Sequence, residues 1–179
     1  LLWFFLLENL ALIILSVLIG FIVEYKNTIY PKKDTKWLVS TLLCNTLVTF
    51  IGFKLYILNF IQLSFEKSVT SIVFDLILIT IIMDFLMFVF HFYIHKMKWI
   101  YEIHKHHHSH IKTNVYSLYV LHPIETFGFG ILWLFTILIV NYNFYSVVIY
   151  LILNLTYGIL GHLEKDMFPK FWLTNSVTK

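Results

Sequence analysis

The sequence HFYIHKMKWIYEIHKHHHSH, residues 91–110, contains seven of the nine histidines of the chain. Two sets of these histidines have helical spacing, i, i+4 in the first and i, i+3, i+4 in the second, so each set shares one helix face. The sets are His91 with His95, and His104 with His107 and His108. Neutral imidazole is a common ligand for Zn and Fe. Two such faces could place five nitrogens around a pair of metal ions, and a histidine-rich loop that only scavenges metal is the alternative.

The composition is that of a membrane protein. Hydrophobic residues make up 59% of the chain and charged residues 13%, and the mean hydropathy is +0.80. Soluble domains contain about half apolar and about a quarter charged residues. The lysines are spread out and flank apolar runs, so no nucleic-acid partner is expected. The single cysteine, Cys44, excludes a disulfide within the chain.

Three apolar runs are long enough to cross roughly 30 Å of hydrocarbon. They cover residues 1–23, 38–58 and 69–90. Two further runs, 127–140 and 144–160, are short for independent spans and predict a helical hairpin. We therefore predict an all-α fold, a multi-pass integral membrane helical bundle with about three spans plus the hairpin.

The distribution of lysines predicts the orientation of this bundle. Spans two and three cross the membrane in opposite directions, so the loop at 24–36 before span two lies on the same side as His91 after span three. The two helices of the hairpin likewise place His162 on that side. All lysines except Lys54 and Lys67 fall there. By the positive-inside rule this side is cytoplasmic. The expected location is the endoplasmic reticulum in a eukaryote, or the inner membrane in a bacterium.

Four motifs in order resemble those of the fatty acid hydroxylase / sterol desaturase superfamily of membrane histidine-box di-iron oxygenases. They are Asp84 before His91-x3-His95, then His104-x2-His107-His108, then His122-Pro123-x-Glu125, then Gly161-His162 with Phe168-Pro169. The family often has Arg where Phe92 stands here, and its last HxxHH box does not occur before Lys179. The expectation is a fragment with an N-terminal transmembrane region and lysine-rich loop at 1–68 and a catalytic region at 69–179.

The resemblance implies roles for individual residues. The implied metal ligands are His91, His95, His104, His107, His108 and His162. Asp84, His122 and Glu125 would support those ligands without touching the metal, and no catalytic residue is assigned beyond the metal centre. Asp84 would orient His91 through a hydrogen bond, or else pair elsewhere as a buried polar residue. His122 is alternatively an N-terminal helix cap.

The resemblance also implies an activity. It is the hydroxylation or desaturation of a membrane lipid or sterol C–H bond, with two Fe ions, O2 and an external electron donor, cytochrome b5-like or ferredoxin-like. Zn is possible in a purified sample because imidazole suits both metals. The motifs favour the C4-methylsterol oxidase-like branch. The alternatives are a non-catalytic membrane homologue, against which the intact histidine boxes argue, and a metal transporter, which would hold its ligands nearer the bilayer midplane.

Overall fold

The computed structural model describes residues 1–24, 32–108 and 114–163, with the side chains of residues 105–108 excepted. The described chain is a bundle of six helices, which confirms the predicted all-α membrane fold. The helices are α1 (Leu2–Val23), α2 (Thr35–Ile57), α3 (Val69–Lys96), α4 (Lys98–His108), α5 (Pro123–Ile139) and α6 (Phe144–His162). Short 3-10 turns occupy Lys32–Asp34 and Val115–Tyr119, and two-residue strands occupy Leu63–Ser64 (β1) and Tyr142–Asn143 (β2).

Among the described residues, four helices are long and apolar enough to cross a membrane, namely α1, α2, α3 and α6. The sequence analysis expected α5 and α6 to form a helical hairpin whose members are short for independent spans, whereas α6 is long enough to cross a membrane. The helix continues through Gly161 and His162 to a length of 19 residues, which is about 28 Å at 1.5 Å per residue. Helix α5 has 17 residues and is the shorter partner.

The lysine-rich connection and the histidines lie at the same end of the bundle, which we call the histidine end. Helix α2 begins there, since the ring of Trp37 lies 5.1 Å from that of His122 and the Thr41 hydroxyl donates to the carbonyl of Leu121 at 3.5 Å. Helix α3 ends there with His91 and His95. The shared end agrees with the predicted topology. Its assignment to the cytoplasm stays a prediction.

At the opposite end, a polar cluster ties the α2–α3 turn to the α5–α6 turn. Strand β1 pairs in parallel with β2. The fully buried Asn143 donates its backbone N–H to Asp75 Oδ2 at 2.7 Å and its side-chain amide to the carbonyl of Glu66 at 2.6 Å. A carboxylate within an apolar run is costly unless it has a partner. Asp75 is therefore explained by its bond to this turn.

Close approach of α5 to its neighbours depends on two glycines. A Cβ on Gly130 would lie 2.4 Å from Val48 Cγ2 of α2, and a Cβ on Gly128 would lie 2.3 Å from the Phe90 ring of α3. Small residues at such positions let helix backbones approach, as is common in membrane bundles. This packing holds the start of α5 beside the end of α3, where the histidines lie.

Candidate metal centre

Helix α3 supplies the first two imidazoles. His91 and His95 are one helical turn apart, and their Nε2 atoms lie 3.0 Å from each other. Their ring centroids are 4.5 Å apart, and both side chains are exposed. The i, i+4 spacing therefore brings two ligand nitrogens to one point, as the sequence predicts.

A break between two helices supplies the third imidazole. Met97 has an extended backbone with φ −94° and ψ 105°, so α3 stops there and α4 starts in a new direction at Lys98. This turn brings the ring of His104 to 5.0 Å from the rings of both His91 and His95. One ligand atom from each of the three residues lies within 4.8 Å of the others. His104 is buried, with 2% of its surface exposed.

Glu125 holds His104 from the side of α5. Its Oε1 hydrogen-bonds His104 Nδ1, and the residue is 1% exposed. Its Oε2 accepts the backbone N–H of His122 at 3.4 Å. A carboxylate on one imidazole nitrogen fixes the tautomer and leaves the other nitrogen, here Nε2, as the metal ligand. The donor set of three imidazoles and a supporting carboxylate fits iron or zinc.

His122 acts as the N-terminal cap of α5. Its Nδ1 accepts the backbone N–H of Ile124 at 3.3 Å, and together with Glu125 it forms a capping box at the helix start. Pro123 occupies the first turn, where its missing N–H needs no partner. The sequence left two roles open for His122, support of the metal ligands and an N-terminal helix cap. Its hydrogen bonds fit the cap.

The structure does not bring Asp84 to His91. The two residues are seven positions apart on α3, which is about 10 Å along the helix axis and beyond the reach of an aspartate side chain. Asp84 is exposed on α3. The predicted hydrogen bond between Asp84 and His91 is therefore absent among the described residues.

The structure gives fewer contacts for the other predicted ligands, which are His162, His107 and His108. His162 ends α6, and its Nδ1 hydrogen-bonds the carbonyl of Gly158 at 2.9 Å, so Nε2 is the atom through which it could bind a metal. It is not in the group of three that lies within 4.8 Å. His107 and His108 lie in the helical backbone of α4, but their side chains fall outside the described residues, as does the Phe168-Pro169 pair.

Helix α1 supports the site in a way that the motifs did not indicate. The hydroxyls of Ser16 and Tyr119 lie 2.6 Å apart, and a Cβ on Gly20 would lie 2.6 Å from Val115 Cγ1. Burial raises the pKa of the Tyr119 hydroxyl. These contacts fix the 3-10 turn that leads from α4 into α5 and hence to Glu125. The only signal in the sequence is the small-xxx-small spacing of Ser16 and Gly20.

The comparisons with known proteins agree with this geometry. Residues 76–179, more than half of the chain, match the family model described as fatty acid hydroxylase. Neither the curated proteins nor the solved structures gave a match. The matched region begins within α3 and includes all three converging histidines and Glu125. The chain is therefore an integral membrane protein that belongs to the fatty acid hydroxylase family.

Proposed function

We propose that this protein catalyses the iron- and O2-dependent oxidation of a C–H bond in a membrane lipid or sterol, by hydroxylation or desaturation. One observation carries the proposal: His91, His95 and His104 converge, with Glu125 bonded to the third of them. The site lies at the end of a membrane bundle, in a chain of the fatty acid hydroxylase family.

The proposed cofactor is a pair of iron ions. His91, His95 and His104 offer three nitrogens for it, and His107, His108 and His162 are the proposed further ligands. Iron in such a site supplies the oxidising power that cleavage of an unactivated C–H bond requires.

The residues of the chain position this metal site. The rigid helical turn between His91 and His95 fixes the separation of two ligand nitrogens. Glu125 accepts a hydrogen bond from His104 Nδ1–H, which turns Nε2 toward the centre and raises its basicity. His104 and Glu125 are buried, so water has little access to their hydrogen bond. The orientation of His104 is therefore held in place before a metal binds.

The proposed orientation places the site on the cytoplasmic face of the endoplasmic reticulum or of a bacterial inner membrane. Lysines at the histidine end support this assignment by the positive-inside rule. Those whose side chains the structure describes are Lys32, Lys33, Lys36, Lys96 and Lys98. An external electron donor of the cytochrome b5 or ferredoxin kind could approach this face. Positive charge there would favour an acidic donor surface.

The test is metal content together with oxygen consumption in the full chain. The protein is reconstituted in nanodiscs, loaded with Fe(II) without oxygen, and assayed with a chemical reductant and a total lipid extract. We expect about two irons per chain and lipid-dependent O2 uptake that yields a hydroxylated or desaturated lipid. The variant His95→Ala should lose metal and uptake, whereas His110→Ala, outside the motifs, should keep both. Bound metal without O2 uptake on any lipid fraction would contradict the proposal and favour a non-catalytic homologue.

A further inference from the structure

The chain has four methionines, and three of them lie on α3 or directly after it. Met83 is 6% exposed, and its sulfur accepts a hydrogen bond from the hydroxyl of Thr136 at 3.1 Å. Met87 is half-buried. Met97 is 39% exposed, so its thioether is the most accessible of the three. The fourth, Met167, lies outside the described residues.

Met97 also lies at a different depth from the other two. Helix α3 has 28 residues and is about 42 Å long at 1.5 Å per residue, whereas the hydrocarbon core of a bilayer is roughly 30 Å thick. The end of α3 that carries the histidines therefore projects beyond the hydrocarbon. Lys96 and Lys98, on either side of Met97, are exposed, as lysines in contact with water are. The thioether of Met97 is thus within reach of small water-soluble molecules, whereas Met87 lies about 15 Å deeper along the helix axis and Met83 deeper still.

Met97 joins the two helices that carry the converging imidazoles. Its N–H donates to the carbonyl of Tyr93 at 3.0 Å and closes α3, and its carbonyl accepts the N–H groups of Ile100 and Tyr101 at 3.0 and 2.9 Å and opens α4. His95 precedes Met97 by two positions, and the ring of Tyr101 lies 5.5 Å from that of His95. An oxidant released at the metal centre would therefore meet Met97 close to where the oxidant forms.

Two of the proposed metal ligands are open to the same oxidant. His91 and His95 are both exposed, and an imidazole that gains oxygen is lost as a ligand. The thioether of methionine is soft and polarisable, and it takes up an oxygen atom from peroxide more readily than an imidazole does. The methionine sulfoxide that results is returned to methionine by dedicated reductases. Oxidation at Met97 is therefore reversible, whereas oxidation at the histidines would destroy the site.

We infer that Met97 is a sacrificial oxidation site, which removes hydrogen peroxide formed at the metal centre and so protects His91 and His95. A lone pair of the Met97 sulfur attacks one peroxide oxygen, the S–O bond forms as the O–O bond breaks, and the departing hydroxide takes up a proton to leave as water. The sulfur loses two electrons and the peroxide gains them. The peroxide comes from two-electron reduction of O2 by the external donor when no lipid is oxidised. That origin rests on the proposed function, whereas the reactivity of Met97 toward peroxide does not.

Peroxide treatment of the metal-free full chain in nanodiscs tests the reactivity of the thioether. Hydrogen peroxide is added for a fixed time, and the oxygen gained by each methionine is quantified by mass spectrometry of peptides. We expect Met97 to be oxidised about fivefold faster than Met83 and Met87, because exposure governs susceptibility. Methionine sulfoxide reductase should then remove the added oxygen. Equal rates at the three residues, or faster oxidation at Met83 or Met87, would overturn the inference.

Protection of the ligands is tested in the Fe(II)-loaded chain with O2 and ascorbate but without lipid. The variant Met97→Leu conserves the apolar volume and lacks the sulfur, and Met87→Leu is the same change deeper on α3. We expect the oxygen gained by His91 and His95 to rise about threefold in Met97→Leu, because the competing thioether is gone, and to stay at the wild-type level in Met87→Leu. Oxidation is expressed per bound iron, so that a variant with less metal does not imitate protection. Unchanged oxidation of the histidines in Met97→Leu would refute the protective role.

The outcomes separate this inference from the proposed function. Selective oxidation of Met97 by added peroxide, in a protein without lipid-dependent O2 uptake, would support Met97 as the peroxide-reactive site and contradict the oxygenase. Lipid-dependent O2 uptake, with histidine oxidation that does not depend on Met97, would support the oxygenase and overturn the protective role of Met97.

Discussion

Glu125, in the first turn of α5, hydrogen-bonds Nδ1 of His104 on α4, and both side chains are almost fully buried. The same carboxylate accepts the backbone N–H of His122, so one residue both caps a helix and holds the imidazole of His104. Glu125 belongs to the motif His122-Pro123-x-Glu125, and His104 belongs to the motif that precedes it in the chain. The orientation of His104 therefore depends on how α5 begins.

Replacement of Glu125 should weaken metal binding before it removes the fold. Loss of the carboxylate behind a metal-bound histidine typically lowers metal affinity about 10- to 100-fold. We expect that decrease in Glu125→Ala and a smaller one in Glu125→Gln, which can still accept from Nδ1–H. Competitive chelator titration of the purified protein measures the affinity. Glu66→Gln, an exposed carboxylate at the opposite end, is the control, and a similar loss there would show a general effect of charge.

Substitution of His122 distinguishes a cap from a ligand. Asparagine is a strong N-cap, so His122→Asn should keep the stability of α5, whereas His122→Leu should cost about 1 kcal/mol. Both variants should bind as much metal per chain as the wild type. Thermal unfolding in detergent, together with metal analysis, checks the two expectations. Loss of metal from both variants would show instead that His122 is a ligand.

Gly130 should not tolerate a methyl group. The Cβ of Gly130→Ala would lie 2.4 Å from Val48 Cγ2, and overpacking of this kind costs about 1–3 kcal/mol. The melting temperature should fall, and the second substitution Val48→Ala should restore part of it. A Cβ on Gly161 would meet nothing within 4 Å, so Gly161→Ala should not lower the melting temperature. Equal effects of the two glycine substitutions would argue against close packing of α5 on α2.

Asn143 should matter far more than the neighbouring Asn141. The change Asn143→Ala removes the partner of the Glu66 carbonyl and of the Tyr145 N–H, and an unsatisfied buried group costs about 1–3 kcal/mol. Asn141 is exposed and bonds only Gln62 through its side chain, at 3.2 Å. Asn141→Ala should therefore change stability by about 0.5 kcal/mol or less. Thermal unfolding of the two variants side by side measures the contrast, and equal values would contradict it.

The helices and the first histidine motif could be predicted because they depend on local periodicity. A spacing of i, i+4 places His91 and His95 on one face wherever α3 forms, and long apolar runs leave helices as the stable choice in a membrane. The spacing of the second histidine set suggested that His104 could join them, but it does not say how the two helix faces meet. The position of His104 depends on the extended backbone of Met97, for which residues 96–98 give no turn signal.

Other contacts could not be predicted because they join segments distant in the chain. Asp75 and Asp84 look alike in sequence, since each is a single carboxylate in an apolar run. Asp75 accepts the backbone N–H of Asn143, whereas Asp84 is exposed. The difference arises from the packing of α6 on α3. The hydrogen bond between Ser16 and Tyr119 likewise needs the tertiary arrangement.

The pairing of β1 with β2 has a consequence for the order of membrane insertion. Leu63 of the α2–α3 turn pairs with Tyr142, and the Glu66 carbonyl of the same turn accepts a hydrogen bond from the side-chain amide of Asn143. Tyr142 and Asn143 are synthesised long after the α2–α3 turn. During synthesis, the first three helices can enter the bilayer, but that turn has no lasting partner until the α5–α6 turn has crossed the membrane to meet it. Translocation of the short, polar α5–α6 turn would then complete assembly. A ribosome-bound chain that ends before residue 141 lacks this turn, so its α2–α3 turn should be exposed to quality-control proteases.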